Sequence, residues 1–231
     1  MLAPMVWELR PLVRSLSLKR SGFGGPNLLR GMLGTAEIVA ATTGIGTRAA
    51  ARTAEWVLDL MAIDHLVVVG IAGGIAPSVD IGNVVVPSLV IDLATGAEYR
   101  PSPMGQTGPR GTLATSDEVL RDGAEIARLQ RQGVVAVDME TAAIAAMCEH
   151  RRCPWSVFRA ISDRADDGST DPAVFALAGQ DGSPAIFALL RFVLTNPRRV
   201  AQLARLAAGM RLATNAAASA AVTAIGKTLA I

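Results

Sequence analysis

At 231 residues the chain suits one domain, or at most two small ones, and 51% apolar against 18% charged residues excludes disorder. A formal net charge of +2 is too balanced for a protein that binds nucleic acid by neutralising phosphates. Of the 22 basic residues only Lys19 and Lys227 are lysine, which reads as compositional bias before it reads as a binding surface. Cys148 and Cys153 are the only cysteines, so no disulfide framework is implied and a reducing cytoplasm is the default. Glu8 and Arg10 interrupt the start before any run long enough for a signal peptide.

Short apolar runs alternate with helical patterns, the signature of βαβ units and a parallel sheet. Only Met1–Met5 precede Trp7-Glu8-Leu9, so either the first strand is short or the chain begins late. A strand over 36–41 leads through Thr42-Thr43-Gly44-Ile45-Gly46 into a helix over 47–61. A second strand, 64–70, opens into a glycine loop, Gly70-Ile71-Ala72-Gly73-Gly74. Strands over 83–86 and 89–91 follow, and 100–112 is the most loop-like stretch, suited to a flap. In the second half a strand over 134–137 reaches Asp138-Met139-Glu140 and a helix over 141–150. A buried strand over 155–161 ends at Ser162-Asp163. Amphipathic helices are expected after Asp171, broken at Ser183-Pro184 and Asn196-Pro197. The nearly uncharged tail from Leu212 to Ile231 is a poor spanning helix, so a packed or interface helix is expected there.

In a parallel sheet the carboxyl ends of the strands lie along one edge, where ligands bind. Segments more than a hundred residues apart should therefore converge on one pocket. The loop at Gly70–Gly74 lacks dinucleotide spacing and a phosphate-loop lysine. Two readings stay open for it: close approach to a flat or anionic ligand, or a tight strand turn. One acid of Asp138 and Glu140 suits vicinal sugar hydroxyls, while a helix cap is the bland alternative. Asp163, behind a largely apolar strand of seven residues, would be partly desolvated, which suits a general acid. Its bland alternatives are a capping pair or a partner for Arg159 or Arg164. Cys148, His150 and Cys153 are too few for a zinc site, and no histidine is spaced for a nucleophile triad.

Residues 135–145, Val-Ala-Val-Asp-Met-Glu-Thr-Ala-Ala-Ile-Ala, resemble the ribose-binding signature of the purine and uridine phosphorylase superfamily. Phe158-Arg159-Ala160-Ile161-Ser162-Asp163 resembles its catalytic strand end, and Thr43–Gly46, Gly70–Gly74 and Asp80–Val85 fall where the family has them. Within the superfamily the chain is most similar to the methylthioadenosine/adenosylhomocysteine nucleosidases. That resemblance implies a single α/β domain over 1–231, a three-layer α/β/α fold with a mixed, mostly parallel twisted sheet, and a helical segment over about 184–231. It implies that Asp163 protonates the departing purine, that Glu8 orients or activates water, and that Glu140 and Met139 hold the ribose. Asp138, Ser162 and Arg159 would join them in binding substrate, the last two also supporting the strand end, with Ile45, Ile71, Ala72, Gly73, Val119 and Leu120 lining the pocket. No cofactor or metal is implied. A homodimer or larger homo-oligomer is, with neither a nucleic-acid partner nor an integral membrane span.

Departures bear on the 5′ substituent more than on the reaction. Ile71 stands where Ser or Thr is common, Val119 or Leu120 where an aromatic stacks on the base, and 99–111 is short and Pro-rich. The tail more weakly resembles hopanoid-associated members, whose nucleoside carries a large apolar 5′ group. Three outcomes are set against one another: hydrolysis of an adenine nucleoside, phosphorolysis with Arg10 or Arg48 serving phosphate, and silent nucleoside binding. Glu8 favours hydrolysis, because a carboxylate at the nucleophile would repel phosphate.

Overall fold

The computed structural model describes residues 1–22, 28–105, 111–165 and 200–230. The helices expected between Asp171 and Asn196 lie outside them. The described elements run β1 (Leu2–Ala3), α1 (Val6–Ser15), β2 (Lys19–Arg20), β3 (Leu29–Leu33), β4 (Ala36–Thr42), α2 (Thr47–Leu60), β5 (Leu66–Gly74), β6 (Val84–Val85), β7 (Leu89–Asp92) and β8 (Glu98–Tyr99). They continue with β9 (Thr112–Thr115), α3 (Gly123–Arg131), β10 (Val134–Asp138), α4 (Thr141–His150), β11 (Trp155–Arg164) and α5 (Val200–Leu229).

The strands form one mixed sheet in which β5 is the hub. It pairs in parallel with β1 and along its whole length with β11, and its last two residues pair antiparallel with β10. β1 also joins β4 in parallel, so this two-residue strand lies between β4 and β5. Antiparallel pairs take the flanks, β2–β3–β4 on one side and β7–β8 on the other.

Both faces of the hub strands are buried, as a sheet covered by helices on two sides requires. Leu66 and Val68 of β5, with Trp155, Val157 and Ile161 of β11, face a core that includes Ala54 and Val57 of α2 and Ile144 and Ala145 of α4. Val67, Val69, Phe158 and Ala160 face the opposite core, with Leu9 and Leu12 of α1 and a row of α5 alanines. Those alanines, Ala213, Ala217, Ala221 and Ala224, recur at helical spacing, and their small side chains let a long helix lie close on the sheet. The tail thus packs as a helix against the hub. Among the described residues no helix is long and apolar enough to cross a membrane.

The glycine segment 70–74 is not a turn. It continues β5 in parallel pairing with β11, and none of its glycines has a positive φ. Glycine is required there for close approach: a Cβ on Gly70 would collide with Glu8 Oε2 and the Arg159 guanidinium.

Candidate active site

Glu8 lies on the buried stripe of α1 with Leu9 and Leu12, which turns a carboxyl into the protein interior. Its Oε2 accepts the Ile71 N–H at 2.8 Å. Among the described residues its Oε1 is buried with no hydrogen-bond partner. Burial drives this carboxyl from its ordinary value of 4.5 up to about 8, against the pull of Arg159 and with a further push from Glu140.

Arg159 occupies a core position of β11, in the alternating row with Val157 and Ile161, and is 0% exposed. A buried guanidinium must be paired. Its Nη2 contacts Asp138 Oδ2 at 2.7 Å and Glu140 Oε2 at 3.1 Å, and its Nη1 donates to the Ile71 carbonyl at 3.3 Å. It therefore joins the end of β10 to β5 beside Glu8. The Glu140 carboxyl is raised by burial, although Arg159 pulls the other way and Asp138 adds to the rise.

The two acids flanking Met139 divide their work unlike the capping alternative. Glu140 occupies the cap position of α4, yet its side chain makes no capping bond. It turns instead to the Gly46 N–H at 3.1 Å and to Arg159. Capping falls to Asp138, whose Oδ1 accepts the N–H groups of Thr141 at 3.3 Å and Glu140 at 3.4 Å. The same carboxylate accepts the Thr115 hydroxyl at 2.7 Å and the Thr141 hydroxyl. Asp138 was expected to touch substrate. With Arg159, two hydroxyls and two amides on its oxygens, it serves the protein's own frame. Arg159 likewise acts between protein groups, for Thr141 also takes its Nε and Nη2 donors at 3.3 and 3.2 Å.

Asp163 stands at the far end of β11, partly exposed. The β11–β5 register slips there, since Ile161 pairs with Ala72 and Asp163 with Gly73, so that Ser162 is an extra residue. Such a bulge re-aims the side chain that follows it. Asp163 Oδ2 comes within 3.6 Å of where a Gly73 Cβ would sit, and Oδ1 accepts the Ser162 hydroxyl. Ser162 also reaches the Ala72 carbonyl at 3.4 Å. Glu8 binds β5 at residue 71 and Asp163 lies at residue 73, about 7 Å further along the strand.

The structure thus brings Glu8, Arg159, Asp138 and Glu140 into one buried network and sets Asp163, Ser162, Ala72 and Gly73 on the next step of the same strand. Met139 and Ile71 are half-buried between these groups in sequence. Ile45 is half-buried in the turn before α2, between two glycines with φ of 80° and 92°. Val119 is half-buried, and Leu120 packs on a small satellite core with Ile75, Ala114, Leu129 and Val134. Sequence reasoning missed Thr115 and Thr141, which bind Asp138, and the Gly46 amide, which binds Glu140. A glycine at the mouth of a helix, opposite a strand-end acid, was the available signal.

A family model described as the phosphorylase superfamily matches residues 1–110 and 102–195. Among solved structures, the 5′-methylthioadenosine/S-adenosylhomocysteine nucleosidase of Neisseria meningitidis, in complex with methylthio-immucillin-A, is 20% identical with a TM-score of 0.72, covering 97% of this chain and 96% of its own. The corresponding nucleosidase of Colwellia psychrerythraea, in complex with adenine, is 21% identical with a TM-score of 0.71, covering 98% and 93%. The futalosine hydrolase of Helicobacter pylori is 16% identical with a TM-score of 0.71, covering 97% and 95%. At these identities the likeness is one of fold.

Proposed function

The chain belongs to the phosphorylase superfamily, and from that premise we propose that it hydrolyses the N-glycosidic bond of an adenine nucleoside, releasing the free base. The observation that carries this reading is Glu8, with one buried oxygen fixed by the Ile71 amide and the other without a partner among the described residues. A carboxyl held this way offers its free oxygen to a water molecule. Because burial raises it to about 8, it is a stronger base than an ordinary glutamate.

N-glycosidic cleavage passes through an oxocarbenium-like state, and it needs a protonated leaving group and a positioned nucleophile. Asp163 supplies the proton, to N7 of the purine. A carboxyl can also accept from a 6-amino group while donating to the ring, which favours adenine. Glu140 takes the ribose hydroxyls, oriented by Arg159 and Gly46, with Met139 against the sugar. Ala72 and Gly73 carry the backbone between nucleophile and base, Ser162 orients Asp163, and Ile71, Ile45, Val119 and Leu120 line the remaining walls.

The basic groups around Glu8 also favour water over phosphate. Arg159, the guanidinium beside it, has its donors committed to Asp138, Glu140, Thr141 and Ile71. Arg10 and Arg48 are exposed on their helices. Three further points belong to this reading: a reducing cytoplasm, in keeping with the free thiols of Cys148 and Cys153; no cofactor; and a homodimer, whose second copy would cover Val6, 60% exposed two residues before Glu8.

The test is to incubate the protein with methylthioadenosine, adenosylhomocysteine, adenosine and inosine, with and without phosphate, and to measure free base. Adenine release independent of phosphate is expected. Release only with phosphate would establish phosphorolysis, and tight binding without release would establish a silent binder.

A further inference from the structure

One loop braces the surroundings of the sugar-side acid without carrying any of the acids placed at the site. Asp117 follows β9 and is exposed, yet both its oxygens go to a single residue 70 positions away. Oδ1 accepts the Thr47 N–H at 2.8 Å, and Oδ2 accepts the Thr47 hydroxyl at 2.6 Å. Thr47 opens α2, whose cap position is Gly46, with no side chain to close the helix. Asp117 therefore provides, from across the molecule, the cap that the helix lacks locally.

That turn is the one whose amide holds Glu140. Gly46 has a φ of 92°, in the left-handed region, and in that conformation its N–H donates to Glu140 Oε1 at 3.1 Å. The two carboxylates share the positive end of α2, one on Gly46 and one on Thr47. The residues just before Asp117 bind the other side of the same acid pair. The Thr115 hydroxyl donates to Asp138 Oδ1 at 2.7 Å, and the Ser116 N–H donates to the Asp138 carbonyl at 2.9 Å. Three consecutive residues thus stitch the end of β10 to the start of α2, with Glu140 between them.

We propose that Asp117 is a positioning residue for the sugar subsite. By capping α2 it holds the Gly46 amide on Glu140, and so sets the carboxylate that takes the ribose hydroxyls. This rests on the role given to Glu140 above and deepens it. A helix cap needed only for folding would affect all substrates alike, whereas a residue acting through Glu140 should matter in proportion to the hydroxyl that Glu140 holds.

The experiment compares adenosine, 2′-deoxyadenosine and 3′-deoxyadenosine in the wild type, Asp117→Ala and Asp117→Asn, each also in a Glu140→Gln background. Release of adenine gives kcat and KM, and calorimetric titration gives the affinity for each nucleoside. For Asp117→Ala, kcat/KM on adenosine should fall about tenfold or more, chiefly through KM, as expected for loss of a hydrogen bond to a charged group. Each deoxynucleoside keeps one of the two hydroxyls and should lose less, so that the preference for adenosine shrinks. Asp117→Asn keeps one acceptor for Thr47 and should fall between. In the Glu140→Gln background the Asp117 substitutions should add little. Asp117 variants that keep the wild-type preference, or that weaken all three nucleosides equally in both backgrounds, would overturn the proposal while leaving Glu140 in place. A wild type indifferent to both hydroxyls would overturn the role of Glu140 itself.

Discussion

β11 begins and ends among chemically capable side chains, and its two ends differ in what those side chains are free to do. At its start Ser156 donates to the Ser102 carbonyl at 2.6 Å and meets His65 Nε2 at 2.8 Å, while Cys153 donates to the Ile63 carbonyl at 3.4 Å. Burial pushes the neighbouring Cys148 thiol up to about 12, so it stays a protonated, inert core residue. Histidine, serine and two cysteines stand together there, yet their hydrogen bonds are directed into the protein. Toward its other end Arg159 draws two carboxylates together beside a third, Glu8, whose Oε1 has no partner among the described residues. Unused hydrogen-bonding capacity in a buried acid distinguishes the second cluster.

The largest effect that separates the two ends should come from Asp163→Asn. Removal of the proton donor is expected to lower kcat by roughly 10²–10⁴ with the fold intact. A near-normal rate would remove Asp163 from the chemistry. Glu8→Gln should then reveal the cost of holding that acid in the interior. Its folded value of about 8 lies above the ordinary 4.5, so its contribution to stability is complete below about pH 4.5 and is lost as pH rises towards 8. The melting temperature of the glutamine variant should therefore gain on the wild type by several degrees between pH 5 and pH 8.5. Parallel melting curves across that range would show that Glu8 is not held in its neutral form. Ser156→Ala should have the smallest effect, a loss of roughly 1 kcal/mol in chemical denaturation from the missing hydrogen bond, with adenine release within twofold of wild type. A large loss of activity in that variant would end the contrast between the two ends.

Much of the frame was legible in the sequence because its signals are local. The helix over 141–150 matches α4 residue for residue, and β4, α2, β10 and β11 were placed to within a few residues at each end. These carry strong apolar periodicity and are bounded by glycine, proline or acids. α1 was missed because Pro11 inside it and Glu8 on its buried stripe both argue against an amphipathic helix. β3, with Gly31 at its centre and half-exposed along its length, offers little pattern, and β9 is only four residues long. The site was legible as a set of residues but not as a geometry. The bulge at Ser162 depends on the register between two strands 90 residues apart, and the buried row that traps Arg159 depends on which helices cover each face. Asp117 shows the same limit. It has the look of a capping residue, but the helix it closes begins 70 residues earlier, while the nearer α3 is capped by Asp122.

The most direct measurement is turnover of an adenine nucleoside in water enriched in oxygen-18, followed by mass spectrometry of the sugar. Attack by a water molecule held at Glu8 places one heavy oxygen on the anomeric carbon and leaves free adenine beside an unphosphorylated sugar. A sugar 1-phosphate without solvent label, or intact nucleoside after prolonged incubation, would contradict it.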